Sequence, residues 1–475
     1  MHEHPWSHFH ADVADGALVT DDVSLPEAFD RAVSLFGSRT ALEMSGKELT
    51  YAQLGHKVKV LAQGLLDTGV RPGDRVAIVL PMSIEAVIAF HATLRIGAVA
   101  VQHSANAPMA QLAKFFHDYR PECAIIADYR LDALGGIDRE SAPRSVIAVP
   151  RPDEPLEFSR VALTESLVSL AKSSGRTLVR TAVGGSATPP AATRVNWVKW
   201  RDVMASPVIT SEHPYPRPGD LATLIYAQRG PAAPLGAMLT HGNLHALAAQ
   251  SLSWLEDSEP GTEVSYTLWP LHSVTGIANT LTTGLVHGRR NILFPRFSRS
   301  ALLKALKKHP PTVVAADDDV FDFFAELAHE GNTQVCGIRF AFTRLTPREG
   351  GVRRPWDEAL GFPIVVGYGT AESCVVSGLP LRAAGHEHTV GVPFPSTHVR
   401  VVDPAHRGRV LEAGEVGRLM IQGPQVFHGY WNKPDDTLAV LSGDGWLLTK
   451  EYATIDADGF VTLVPSPEPA ERTRA

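Results

Sequence analysis

Apolar residues recur at helical spacing from Ser24 to Phe36, behind a serine able to cap, and again from Tyr51 to Leu66 until Gly69 ends the run. The period then changes. Arg75 to Leu80 (RVAIVL) is an unbroken apolar run of strand length, followed by a helical pattern over Ile84 to Leu94 and a short strand at Ala98 to Val101. A helix over Gln111 to Tyr119 and a strand at Cys123 to Ile126 continue the alternation. Strands that alternate with helices imply crossover connections, and hence a parallel sheet covered on both faces.

Between about residues 141 and 218 the chain loosens into Pro, Ala, Ser and Gly, with TAVGGSATPPAAT (Thr181 to Thr193) its most linker-like piece. This reads as a surface excursion or a boundary. The alternation resumes with strands at Leu221 to Tyr226, Ile292 to Phe294, Thr312 to Ala315, Arg339 to Phe342 and Ile364 to Tyr368. Helical patterns at Asn243 to Leu255, Ser300 to Lys308 and Phe321 to Ala328 lie between them. After Pro380 short strands with turns dominate: His398 to Asp403, Gly417 to Gln422, Trp446 to Thr449 and Phe460 to Val464. The pattern predicts a loose N-terminus over 1–23, an α/β body over 24–379, a small β-rich subdomain over 380–464 and a polar tail over 465–475. No internal repeat is visible.

The chain has 475 residues, with 44 Lys+Arg against 51 Asp+Glu and a net charge of −7. This balance and the lack of any Lys/Arg-rich run argue against nucleic acid or an anionic membrane surface as the main partner. The most apolar stretch, Arg75 to Val101, is interrupted by Pro81, Glu85, His91 and Arg95, whereas a bilayer span needs ~20 apolar residues. The first residues carry no basic start and no apolar run, so no signal peptide is expected. Cys123, Cys336 and Cys374 form neither a metal spacing nor a paired framework, which fits a reducing cytoplasm. His2, His4, His8 and His10 alternate without accompanying carboxylate or Cys ligands, and read as a loose polar terminus rather than a metal site.

The glycine-bearing stretch Leu224 to His241 (LIYAQRGPAAPLGAMLTH) reads as a strand, a turn and a helix. A loop that cradles phosphate needs glycines and hydroxyls whose neighbouring N–H groups converge on the anion, usually with a Lys to balance its charge. Here Pro231 and Pro234 remove donors, no hydroxyl is present and only Arg229 is cationic, so a plain structural connection competes with phosphate binding.

The chain resembles the adenylate-forming superfamily of acyl-CoA synthetases, most closely the bacterial long-chain fatty acid–CoA ligases, from Leu25 to Val464. The resemblance rests on LTYAQLGHKVKVLAQGLLDTGVRPGDRVAIVLP (Leu49 to Pro81), RIGAVAVQHS (Arg95 to Ser104), GAMLTHGNL (Gly236 to Leu244) and GYGTAES (Gly367 to Ser373). It continues through TVGVPFPST (Thr389 to Thr397), GEVGRLMIQGPQVFHGYWNKPDDT (Gly414 to Thr437) and DGWLLTKEYATIDADGF (Asp444 to Phe460). It implies an α/β fold: two doubly wound, mostly parallel sheet subdomains plus a small β-rich subdomain. It also implies a family chemistry in which Mg-ATP converts a carboxylate to an acyl-adenylate and coenzyme A then accepts the acyl group.

Carried over residue by residue, the resemblance makes Tyr368 the residue that packs on adenine and Glu372 the magnesium-binding carboxylate. Thr370 belongs to the same remnant nucleotide site. Glu451 stands where an Asp accepts the ribose hydroxyls, with Lys450 in place of Gly beside it. His272 and Ser273 correspond, in changed order, to an aromatic–His pair that orients the substrate carboxylate. Several positions depart from the family pattern. In the phosphate loop Leu235 stands where the Lys belongs, Ala227, Gly230 and Pro231 stand where hydroxyls belong, and Arg229 is the remaining cation. Ala371 replaces the Thr that contacts the α-phosphate. Pro465, Ser466 and Pro467 occupy the family's hinge, and the resemblance implies that the smaller C-terminal domain with its adenylation Lys is absent. For Glu372 two readings stand side by side: retained metal binding and an ordinary helix-start carboxylate near a strand end.

Two further patterns are weighed against chemistry. Asp318, Asp319 and Asp322 spell D-D-x-x-D, a magnesium-diphosphate pattern of wholly helical enzymes, and in this α/β chain they read as helix-capping carboxylates. His386 and His388 flank Glu387 in what reads as a solvated loop. The expectation is therefore a cytoplasmic pseudoenzyme of the ligase family, binding a fatty acid or other carboxylate, or partnering an intact ligase. An active ligase that uses a free C-terminal domain in trans and a non-enzymatic acyl sensor or scaffold are the alternatives.

Overall fold

The protein is represented by a computed structural model that describes residues 5–6, 22–150, 195–226, 234–254, 258–335, 337–344, 356–360, 364–378, 386 and 388–467. The chain divides into two compact units. The first comprises Val23–His241 and Pro270–Ile277, the second Met1–Asp22, Gly242–Trp269 and Ala278–Ala475.

The first unit carries helices α1 (Leu25–Phe36), α2 (Tyr51–Asp67), α3 (Ile84–Arg95), α4 (Met109–Tyr119) and α5 (Trp200–Val203). Its strands are β1 (Thr40–Met44), β2 (Lys47–Thr50), β3 (Arg75–Leu80), β4 (Val99–Ser104), β5 (Cys123–Ala127), β6 (Ser145–Val149), β7 (Asn196–Lys199), β8 (Leu221–Tyr226) and β9 (Gly236–Thr240). A sheet of order β7-β6-β5-β3-β4-β8-β9 forms, parallel throughout except for the β8–β9 pair. The apolar runs of β3 and β5 sit at its centre because strands covered on both faces bury every side chain. Helix starts follow local chemistry. Thr50 and Gln53 close a reciprocal capping box on α2, and Ser83 accepts from Ala86 N at 3.1 Å on α3. At α1, however, the Ser24 side chain makes no cap bond, and Pro26 at the first turn starts the helix.

In the second unit, helices α6 (His241–Ser253), α7 (Arg299–Lys308), α8 (Asp318–His329), α9 (Trp356–Leu360) and α10 (Pro434–Val440) accompany strands β10 (Val264–Thr267), β11 (Arg290–Leu293), β12 (Val313–Ala315), β13 (Phe340–Arg344), β14 (Ile364–Thr370), β15 (Cys374–Gly378) and β16 (Val392–Pro393). These strands run in the order β16-β15-β14-β13-β12-β10-β11, parallel from β11 to β14 and antiparallel beyond. Its core joins Tyr266, Leu302, Leu306, Phe321, Phe324 and Trp356. An antiparallel meander of β17 (His398–Val402), β18 (Gly417–Gln422), β19 (Leu447–Ile455) and β20 (Val461–Val464) completes the unit. At its β19–β20 turn Trp6 is buried against Gly459, where an added Cβ would meet the indole at 2.3 Å.

The α/β architecture thus matches its expectation, and three local differences have physical causes. The expected helix after the Leu224 turn begins only at His241, because Gly236–Thr240 pairs antiparallel with β8. The excursion expected over 141–218 contains β6, β7 and α5, which extend the sheet; its linker-like piece lies outside the described residues. The β1–β2 hairpin turns through Ser45 (φ 50°) and Gly46 (φ 83°), a pair of left-handed residues that closes a tight hairpin. Among the described residues no helix is long and apolar enough to cross a membrane.

Candidate functional site

In the second unit β14 ends in a tight reversal that returns as β15. Gly369 permits it: an added Cβ would lie 1.8 Å from the Cys374 carbonyl oxygen. Cys374 takes the left-handed conformation at φ 53°. The intervening turn is bonded to itself. Thr370 Oγ1 accepts from Glu372 N at 3.2 Å, and Ser373 Oγ lies 3.1 Å from Thr370 Oγ1 and accepts from Thr370 N at 3.2 Å. Glu372 is thereby presented at the sheet end, half-buried.

Both the backbone and the side chain of Glu372 are held by the segment that follows β18. Phe427 N donates to Glu372 O at 2.8 Å, and the Tyr430 hydroxyl donates to Glu372 Oε1 at 2.7 Å. Tyr430 is itself fixed, since its N–H donates to Thr437 Oγ1 of α10 at 2.9 Å. Burial first, and then the Glu372 charge and hydrogen bond, push the Tyr430 phenol above its ordinary range. Nearby, Tyr368 on β14 is buried; its hydroxyl lies beside Thr449 without a well-formed hydrogen bond among the described residues. Burial, then the Glu451 charge and more weakly that of Glu372, raise its phenol as well. Glu451 is exposed on β19, where its N–H donates to Thr449 Oγ1 at 3.2 Å, and Lys450 beside it is exposed too.

Tyr368, Thr370, Glu372 and Glu451 therefore gather in one unit, although they come from β14, the reversal after it and β19. Chemically the group offers an aromatic residue and two carboxylates. Mg²⁺ is commonly held by one or two carboxylates together with substrate phosphates rather than by an all-protein cage. Glu372, with Oε1 taken by Tyr430 and Oε2 making no hydrogen bond among the described residues, fits that role.

His272 lies in the first unit, in the segment 270–277. Burial lowers its pKa. It acts electrostatically on His103, whose own pKa burial and then His272 lower to about 3. His103 Nε2 lies 2.9 Å from the Tyr119 hydroxyl, and its ring stacks on Phe115 at 5.0 Å. Ser273 caps the turn Val274–Gly276 by accepting from Gly276 N at 3.0 Å, a structural task. Arg229 lies outside the described residues, as do the other positions 227–233 of the loop. At the loop's base Tyr226 pairs with Gly236, and its hydroxyl donates to Asp118 at 2.6 Å.

The Asp318 cluster is at a helix start, as expected, with Asp318 and Asp319 in the first turn of α8. The N-cap is Asp317, without a side-chain cap bond. Asp318 accepts from Thr343 Oγ1 at 3.3 Å and Asp322 from Trp356 Nε1 at 2.6 Å, so these carboxylates tie α8 to β13 and α9. His386 is not merely solvated: it stacks on Phe460 at 3.6 Å and faces Asp456 at 3.6 Å. The N-terminal histidines, Cys336 and Glu387 lie outside the described residues. Tyr430 and Thr437 were not singled out from sequence. Both lie in the stretch Gly414 to Thr437 that carries part of the resemblance, which is the only signal the sequence offers for them.

The AMP-binding enzyme family matches residues 29–431, and the chain belongs to that family. It is 25% identical over 474 residues to a long-chain-fatty-acid–CoA ligase of Bacillus subtilis (strain 168), covering 96% of this chain and 79% of the relative. It is 27% identical over 436 residues to a feruloyl-CoA synthase of an Amycolatopsis species, covering 90% of this chain and 75% of the relative. Among solved structures, apo MatB from Rhodopseudomonas palustris is similar with a TM-score of 0.73 at 22% identity, covering 94% of this chain and 79% of that one. The N-terminal domain of FACL13 from Mycobacterium tuberculosis has a TM-score of 0.72 at 19% identity, covering 93% and 100% respectively. At these identities the structures establish the fold alone.

Proposed function

We propose that this chain is an acyl-CoA-synthetase-like protein that accepts a fatty acid or related carboxylate but is impaired in adenylation, keeping a remnant site for Mg-ATP at Tyr368, Glu372 and Glu451. The observation that carries this reading is the loop from Tyr226 to Gly236, which has no Lys and no hydroxyl side chain after Tyr226. Attack of a carboxylate on the α-phosphorus brings negative charges together, so the rate depends on cations and donors placed there. Removing one such donor typically costs ~3–4 kcal/mol, or ~10²–10³ in rate. Leu235 in the Lys position and Ala371 in the α-phosphate Thr position are two losses of this kind.

Glu372 would hold magnesium through Oε2, the Tyr368 ring would pack on the base and Glu451 would meet the ribose. Bound magnesium would offset charge on the phosphates. Fatty-acid-dependent exchange of pyrophosphate into ATP tests the reading. The purified chain with palmitate should exchange at background rate, and exchange at the rate of an intact ligase would overturn it.

The clustering of Tyr368, Glu372 and Glu451 favours a second reading, an active ligase with Arg229 in place of the loop Lys. Under it, the purified chain exchanges pyrophosphate into ATP when palmitate is present and Arg229→Ala abolishes that exchange. A scaffold or acyl sensor instead binds palmitate and ignores ATP in calorimetric titration.

A further inference from the structure

We propose that Tyr430 is a positioning residue for Glu372, and that α10 acts on this carboxylate through Thr437. The inference rests on the reading above that Glu372 is the cation-facing carboxylate, and it adds how that carboxylate is aimed.

A glutamate side chain at a half-buried sheet end has three rotatable bonds, and leaving it free would cost rotamer entropy each time it met a cation. Here one oxygen is fixed. The Tyr430 hydroxyl donates to Oε1 at 2.7 Å, the length of a charge-assisted bond, so Oε1 is committed and Oε2 is the oxygen left for a cation. The backbone of the same residue is fixed by Phe427 N at 2.8 Å, and Phe427 packs edge-on against the Tyr430 ring at 5.0 Å.

Tyr430 is in turn held by α10. Its N–H donates to Thr437 Oγ1 at 2.9 Å, while Thr437 Oγ1 donates to Lys433 O at 2.8 Å. Gly429 makes this approach possible: at φ 123°, an added Cβ would lie 2.6 Å from Thr437 Cγ2. A path of three hydrogen-bonded residues therefore runs from α10 to the carboxylate, all within one compact unit.

The test is carboxylate footprinting of the full chain with a carbodiimide and glycine ethyl ester, read by peptide mass spectrometry. A hydrogen bond to a charged group that is lost should release Glu372 by about tenfold. Tyr430→Phe should therefore raise the Glu372 labelling rate about tenfold while the rates of Asp456 and Glu412, in the same unit, stay at the wild-type value. Thr437→Ala should raise it by a smaller factor, and Thr437→Ser, which keeps the hydroxyl, should label as wild type does. An unchanged Glu372 rate in Tyr430→Phe would overturn the proposal, and so would a rise shared by all three carboxylates. Should Tyr430→Phe fail to fold, equal Glu372 rates in Thr437→Ala and Thr437→Ser would overturn it. Protection of wild-type Glu372 by Mg-ATP reports separately on its cation role, so failure of that reading is distinguishable from failure of the Tyr430 assignment.

Discussion

Gly369 illustrates how a single missing Cβ shapes the candidate site. With a carbonyl oxygen 1.8 Å from where the Cβ would go, Gly369→Ala cannot be absorbed by a side-chain rotation, because the obstacle is backbone. The substitution should lower unfolding free energy by about 3 kcal/mol or more, seen as a lower urea midpoint at unchanged slope. The residue scale also shows what sequence reading could reach. Tyr368, Glu372 and Glu451 were legible because their resemblance is carried by short local motifs. The hold on Glu372 was not, since Tyr430 lies 58 positions away and only the folded chain brings its hydroxyl to the carboxylate.

Two serines that precede helices have opposite fates, which turns capping into a controlled comparison. Ser83 accepts from Ala86 N, whereas the buried Ser24 hydroxyl makes no hydrogen bond among the described residues. Ser83→Ala should cost about 1 kcal/mol by chemical denaturation, and Ser24→Ala should be neutral or slightly stabilising. Identical residue types before apolar helical runs cannot reveal this difference in advance. Elements buried along nearly their whole length, such as β3 and α3, are readable for the complementary reason that burial dictates their apolar composition. Strand β2 (KELT) is half exposed and carries no apolar run, and β9 lies in an apolar stretch that serves a helix reading equally well. Their pairing decides their structure, and pairing is non-local.

The whole molecule hides several neutral imidazoles. His103 is held down to about 3 and His241 and His287 to about 4, in each case chiefly by burial. These values lie below the ordinary 6.5, so the unfolded chain binds protons first as pH falls. Their contribution is complete above pH 6.5 and drains away as pH drops towards 4, each group costing about 1.4 kcal/mol per pH unit within that window. Urea midpoints at pH 7, 6 and 5 should therefore fall steeply. In His241→Leu the decline should be shallower by one proton's worth; among the described residues neither His241 ring nitrogen has a hydrogen-bond partner. Equal slopes in the two proteins would contradict this assignment. Trp6 bears on how such experiments are prepared. Its indole is seated at the glycine of a β-turn near the other end of the chain, so trimming the protein back to its first helix would uncover the ring's resting place. Such a shortened version should melt earlier for a reason unrelated to acyl activation.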